Sequence, residues 1–250
     1  MVEIMSKKRD FWNHYFRFRD LTQFGNEQLF QKLEDVDSVR NWLGTNYILA
    51  NIPPKYFKFE FDKIKKRILT VEKNYESIEK LESYLKNIAN AFEKGIGLYL
   101  SGPHGVAKTT ISIIILKEAI KKNYKCFFCK SSEIINFARS GWKNEERKIY
   151  WDYIVDNVDF LVVDDIVRLF DVSEKERVHI DEIFTKRDDA NKVTIITANH
   201  ELRDNKDVFG EALYSNFKER LIEIDLVGDD YRDLLGEQLM DGLLEKKEDK

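Results

Sequence analysis

The chain has 250 residues, 34% of them charged and 43% apolar, with a formal net charge of −4. That length accommodates one α/β domain of ordinary size and a smaller appendage, and the mild acidity excludes a uniformly basic nucleic-acid binder. No apolar run reaches the length of a membrane span and residues 1–12 lack the apolar core of a signal peptide, so a cytoplasmic protein with no membrane partner is expected.

Residues 1–50 are dense in aromatics, among them Phe11, Trp12, Tyr15, Phe16, Trp42 and Tyr47, and residues 28–49 suit helices. This part reads as a small helical unit, either a core of its own or a docking surface for a protein partner. Pro53-Pro54 forbids helix continuation and places a boundary there, with residues 51–70 as a linker. From 71 to 92, Val71, Tyr75, Ile78, Leu81, Leu85, Ile88 and Phe92 recur at steps of three and four, predicting one amphipathic helix that Gly95 ends as a C-cap.

Residues 97–100 then form a short apolar strand that runs into GPHGVAKTT at 102–110 and a further helix. A Gly-bearing turn between strand and helix that ends in Lys and a hydroxyl residue is a phosphate cradle. Its backbone N–H groups close on nucleotide phosphates, the Lys reaches the terminal phosphates, and the hydroxyl meets Mg²⁺. The nucleotide-binding residues are therefore Gly102, Pro103, His104, Gly105, Val106, Ala107, Lys108, Thr109 and Thr110. Ala107 stands where the pattern has its last Gly; it is compatible with the turn on condition that it keeps negative φ.

The segment at 125–130 reads as a second strand, in which Cys126 and Cys129 point to opposite faces and serve as buried apolar residues rather than as a zinc or redox pair. Ser131 or Ser132 is placed to cap the next helix. A helix at 144–156 packs through Trp151 and Ile154. Residues 158–165 are an apolar strand ending in Asp164 and Asp165. Ser173 and Glu176 form a capping box for a helix to about Asp189. Strands at 193–198, ending before Asn199, and at 221–227, following Arg220, complete the pattern. Strands alternating with helices predict a three-layer α/β fold with a mainly parallel five-stranded sheet.

Such sheets carry ligands at the carboxyl ends of their strands, so Lys108, Thr109, Asp164, Asp165 and Asn199 should converge. Thr109 and Asp164 offer the hard oxygens that Mg²⁺ prefers, Asp165 is placed to orient or deprotonate a water, and Asn199 is either a contact to the γ-phosphate and that water or a helix cap. Charge is also uneven along the chain. Residues 117–148 hold nine Lys/Arg against four Asp/Glu, and residues 199–250 hold eight against fifteen. The basic stretch, with Lys143, Arg147 and Lys148, is either a solvated face or a track for single-stranded DNA, with Phe137 and Trp142 either stacking on bases or buried in the core.

With these elements in order, the chain resembles the DnaC-like helicase-loader branch of the AAA+ ATPases and the related IstB-like helper ATPases of transposition. The residues that carry the likeness are IPPKY at 52–56, GLYLSGPHGVAKTT, FLVVDDI, TIITANH and FKERLIEIDLVGDDYR, together spanning about 51–233. The resemblance implies a P-loop NTPase core at 71–243 with a charged tail at 244–250, and ATP and Mg²⁺ as cofactors. It makes Asp164 and Asp165 the Walker B pair, Asn199 sensor 1, Arg220 the finger that reaches a neighbour's nucleotide, and Arg232 sensor 2. It further implies an ATPase that assembles head to tail as a ring or open spiral, binds a replicative DnaB-type hexameric helicase through residues 1–50, and delivers it to single-stranded DNA. A transposition helper, or an adaptor that binds ATP and barely hydrolyses it, is the alternative; Ala107 and the Asp at 165 motivate the adaptor.

Overall fold

Five short runs rich in β-branched and large apolar residues pair into one sheet in a computed structural model, which describes residues 43, 44, 46–140, 145–166 and 172–231. The expectations for residues 1–42, Trp142, Lys143, the Arg147 side chain, Arg232 and the tail at 244–250 lie outside the described residues. The strands are β1 (Gly97–Ser101), β2 (Cys126–Lys130), β3 (Phe160–Asp164), β4 (Val193–Thr197) and β5 (Leu221–Asp225). Their order is β2-β3-β4-β1-β5, and all four pairings are parallel. The helices are α1 (Phe61–Ile68), α2 (Tyr75–Lys86), α3 (Ile88–Lys94), α4 (Lys108–Lys121), α5 (Ser131–Ser140), α6 (Glu145–Asn157), α7 (Glu174–Asp189) and α8 (Lys206–Arg220). The last is broken at Gly210, whose φ of 73° is not helical.

β1, β3 and β4 are buried along their whole length, as central strands covered on both faces must be. Their side chains alternate between two cores. Leu98, Leu100, Phe128, Phe160, Val162 and Ile195 pack with α4 and with Ile64, Ile78 and Leu81 of the preceding helices. Tyr99, Phe127, Leu161, Val163 and Ile196 pack with Ile134, Trp151, Ile154, Ile180 and Phe184 on the other side. The result is the expected three-layer α/β architecture. The two cysteines follow the same rule: Cys126 belongs to the first core and Cys129 to the second, both buried and unbridged.

Two expectations are revised. The helix predicted across 71–92 is three pieces, a 3₁₀ turn (Glu72–Asn74), α2 and α3, separated at Asn74 and Asn87. Asn74 is fully buried and holds other elements together: its amide Nδ2 donates to Ile68 O (3.0 Å) and Val227 O (2.8 Å), while its Oδ1 accepts from the Val227 N–H (2.9 Å). Tyr75, counted in the apolar stripe, is accordingly exposed, whereas Ile78, Leu81 and Ile88 are buried and Gly95 is the left-handed cap expected. Residues 51–70 are no loose linker either. Ile52, Ile64 and Ile68 sit in the first core, and the Ala50 carbonyl and the Asn51 side-chain amide bond the Phe128 N–H and C=O, both at 2.9 Å, covering the otherwise open edge of β2. Lys117 on α4 fastens the same segment by donating to Phe57 O and Phe59 O.

Candidate functional site

Because all strands run the same way, the residues that follow β1, β3 and β4 gather at one end of the sheet. The turn after β1 is tight. Gly102 has φ 132°, and a Cβ there would lie 2.0 Å from Leu226 O; Gly105 has φ 83°, and a Cβ there would lie 1.9 Å from an Asp230 carboxylate oxygen. Neither position admits a side chain. Ala107 adopts φ 73°, ψ 15°, overturning the expectation of negative φ, so its methyl group is held in a left-handed conformation suited to Gly. Lys108 opens α4, is 9% exposed, and donates from Nζ to Gly102 O and Pro103 O, both at 2.6 Å. A close-packed turn, a helix N-terminus and a buried ammonium fit a phosphate group.

Beside this turn the Thr109 hydroxyl donates to Asp164 Oδ1 at 2.7 Å, and the Thr197 hydroxyl donates to the same oxygen at 2.7 Å. With its proton committed to Asp164, Thr109 keeps lone pairs for a cation, and the pair supplies the hard oxygens that suit Mg²⁺. Burial pushes the Asp164 carboxyl above the usual carboxylate range, with the two hydroxyl bonds opposing it. Asp165 follows with φ 59°, another left-handed non-glycine residue. Its N–H donates to Thr197 Oγ1 (2.9 Å) and its carbonyl accepts from the Ser131 hydroxyl (2.5 Å). Asn199, two residues beyond Thr197, places its Nδ2 3.2 Å from His104 Nε2 of the phosphate turn. These contacts place the phosphate turn with Lys108, the Thr109–Asp164 pair, the Asp165 backbone and Asn199 at one end of the sheet.

A family profile described as IstB-like ATP-binding protein matches residues 74–232. The chain belongs to that family. The match spans the phosphate turn, both acids, Asn199 and Arg220, the same residues that the fold collects or places at strand ends. In structure, the chain is similar to the DnaC helicase loader at a TM-score of 0.56 with 23% identity, covering 70% of this chain and 99% of that one. It is similar to the replication initiator DnaA bound to AMPPCP and single-stranded DNA at 0.53 with 18% identity, covering 67% of this chain and 51% of DnaA, so it corresponds to about half of that protein. DnaI matches at 0.50 with 22% identity, over 62% of this chain and 82% of that one. No curated protein matches the chain in sequence. At these identities the structural likeness establishes the α/β P-loop fold, and the family profile establishes an IstB-like ATP-binding protein.

In this IstB-like chain Arg220 does not join the site. It closes α8 just before Leu221, which pairs with Gly97 at the start of β1, so it sits at the opposite end of the sheet. There its Nε lies 3.1 Å from Asp188 Oδ1 and its Nη1 donates to Lys94 O at 3.1 Å. Phe137 is buried and packs on Trp151 with ring centroids 5.3 Å apart, which removes it from any base-stacking surface. Ser131 donates its hydroxyl to the Asp165 carbonyl. Sequence reading passed over Thr197 and Asn74. The one signal for Thr197 was its place two residues before Asn199 at the end of a buried strand.

Proposed function

We propose that this protein is an ATP-dependent helicase loader, binding ATP through residues 102–110 and delivering a DnaB-type hexameric helicase to single-stranded DNA. In this reading Lys108 neutralises the terminal phosphates, and Thr109 and Asp164 hold Mg²⁺, which supplies charge neutralisation at the phosphates when bound. Asp165 orients or deprotonates the attacking water, and Asn199 contacts that water or the γ-phosphate. Arg220, turned from its own site, serves the nucleotide of the next subunit in a head-to-tail assembly, and Arg232 completes the site as sensor 2. The observation that carries the loader reading is the match to the DnaC loader over 99% of that chain, against half of DnaA. The DNA partner is supported by the single strand named in the DnaA structure. A second reading, an IstB-like helper of a transposase, is favoured by the family profile itself.

The deciding experiment supplies the protein with ATP, a DnaB-type helicase from the same genome and a single strand coated with single-strand-binding protein, and follows unwinding of an annealed oligonucleotide. Loading should require the protein and fail with Lys108→Ala, which removes a charge-assisted contact worth on the order of 1.5–3 kcal/mol. No stimulation of the helicase, with stimulation of a cognate transposase instead, would establish the helper reading. No helix among the described residues is long and apolar enough to cross a membrane.

A further inference from the structure

The Thr197 hydroxyl occupies an unusual position. It is one group with one proton to give and lone pairs to receive, and both capacities are used on two consecutive residues, the last of β3 and the one after it. Its proton goes to Asp164 Oδ1 at 2.7 Å, and its oxygen accepts the Asp165 N–H at 2.9 Å. Thr197 is 2% exposed, so water does not compete for either bond. β4 and β3 are in parallel register at Val163 and Ile196, which brings the ends of the two strands level and sets Thr197 beside both acids.

The consequence for Asp165 is direct. Its backbone is left-handed, φ 59°, a region that Asp tolerates better than most non-glycine residues and that leaves its exact setting to the groups around it. Both flanking peptide groups are held: Thr197 takes the N–H and Ser131 donates to the C=O. The direction in which the Asp165 side chain leaves the backbone is thus set by two hydroxyls on two other elements. For Asp164, the bonds from Thr109 and Thr197 both fall on Oδ1, which leaves Oδ2 without a hydrogen bond among the described residues.

We infer that Thr197 is a positioning residue of the nucleotide site, holding the metal-side carboxylate of Asp164 and the water-side backbone of Asp165 in one register and tying both to the segment that carries Asn199 two residues beyond the end of β4. The inference rests on the ATPase reading for its turnover arm, while its metal arm stands on the Thr109–Asp164 pair alone. It also explains why a hydroxyl residue, rather than Val or Ile, ends β4.

The test uses the full chain. Thr197→Val keeps the shape and removes the hydroxyl; Thr197→Ala takes its place should the valine variant not fold. The expected result is a fall in kcat of about 10–100-fold, a loss of Mn²⁺ affinity for the protein–ATPγS complex of roughly tenfold, and nucleotide affinity in EDTA within about twofold of wild type. Thr197→Ser should restore turnover and Mn²⁺ affinity together. Ser131→Ala, which touches Asp165 and not Asp164, should lower kcat and leave Mn²⁺ affinity alone. The inference is overturned if serine fails as valine does in a protein with an unchanged melting curve, or if the valine variant binds Mn²⁺ and turns over ATP like wild type. If wild type itself shows no turnover, the hydrolysis reading falls, and the Mn²⁺ titration still decides whether Thr197 positions Asp164.

Discussion

The two ends of the sheet are built on different terms, and α7 spans both. At the amino end the backbone turns through positive φ at Gly95, Asn123 and Asn191, residues that tolerate that region. At the carboxyl end it does so at Gly102, Gly105 and Asp165, which tolerate it, but also at Ala107, which pays a conformational cost there. The polar chemistry differs in the same sense. Arg187 near the end of α7 is fully buried and donates to Val158 O (2.9 Å), Val155 O (3.3 Å), Val193 O (2.7 Å) and Thr194 Oγ1 (3.2 Å), with longer bonds to Ile154 O and Asp159 O. Burial lowers its pKa to about 10, which leaves it charged at neutral pH. One rigid cation thus ties the end of α6, the start of β4 and α7 into a block. At the carboxyl end the polar groups are instead held by hydroxyl, carboxylate, imidazole and loop-carbonyl partners, several of which a phosphate or a cation can replace. Strain and exchangeable bonds are kept where a ligand enters, and anchoring is kept where none does.

Removing the anchor should have the largest effect. Arg187→Met fills similar volume and abandons several buried acceptors, each worth about 1–3 kcal/mol when left unmatched. A loss on the order of 3 kcal/mol in urea unfolding is expected, with nucleotide affinity of the folded protein unchanged. A loss below about 1 kcal/mol would show that the amino end is not held by this residue, and the contrast between the ends would collapse.

Arg187 also shows where sequence reading stops. It lies in TKRDD, a charged run at a helix end that looks solvated, and nothing local distinguishes it from Lys186, which is half exposed beside Glu182. Thr197 looks like β-branched filling in VTIIT. Asn74 looks like a break before a helix, and Ser131 like a cap. Each acts through partners tens of residues away, so its role appears only after the strands are ordered. The phosphate turn, the acids ending β3 and the Ser173–Glu176 box were legible because each is a local pattern whose physics is complete within ten residues. Ala107 was legible as a departure, but the sign of its φ was not, because the close contact of Gly102 with Leu226 and of Gly105 with Asp230 that shapes the turn is long-range.

A pair of glycine substitutions sharpens the comparison. Ala107→Gly relieves a left-handed alanine at the carboxyl end, and a gain of up to about 1 kcal/mol in stability is expected after the greater freedom of Gly in the unfolded chain is counted. Asn191→Gly at the amino end replaces a residue already suited to φ 51° and should change stability by no more than a few tenths of a kcal/mol. Chemical denaturation of both variants measures the difference. Equal effects at the two positions would mean that the strain is not confined to the ligand end.

The smallest effect concerns the other terminus of α7, where the bonds should respond to protons as those of Arg187 do not. Ser173 Oγ accepts from the Glu176 N–H, Glu176 Oε2 accepts from the Ser173 N–H at 2.5 Å, and Glu176 Oε1 accepts from Arg139 Nε at 2.6 Å. The Ser173 N–H, then Arg139, then the Ser173 hydroxyl hold the Glu176 carboxyl below its usual value. A lowered folded-state pKa means that the unfolded chain binds the proton more readily. The contribution of Glu176 to stability is therefore fully present above the ordinary glutamate value of about 4.3 and is lost as pH falls through the lower folded value. Glu176→Gln keeps an oxygen for the Ser173 N–H and loses the charge, so the variant should melt slightly below wild type at pH 7, and the gap should close as pH falls below about 4. Because other carboxylates titrate in the same range, the quantity that decides is the difference between the two melting temperatures at each pH. A gap that stays constant down to acidic pH would assign the cap to geometry alone. A gap that closes with acid, set beside an Arg187→Met deficit that persists through the same range, would separate the proton-sensitive start of α7 from its fixed end.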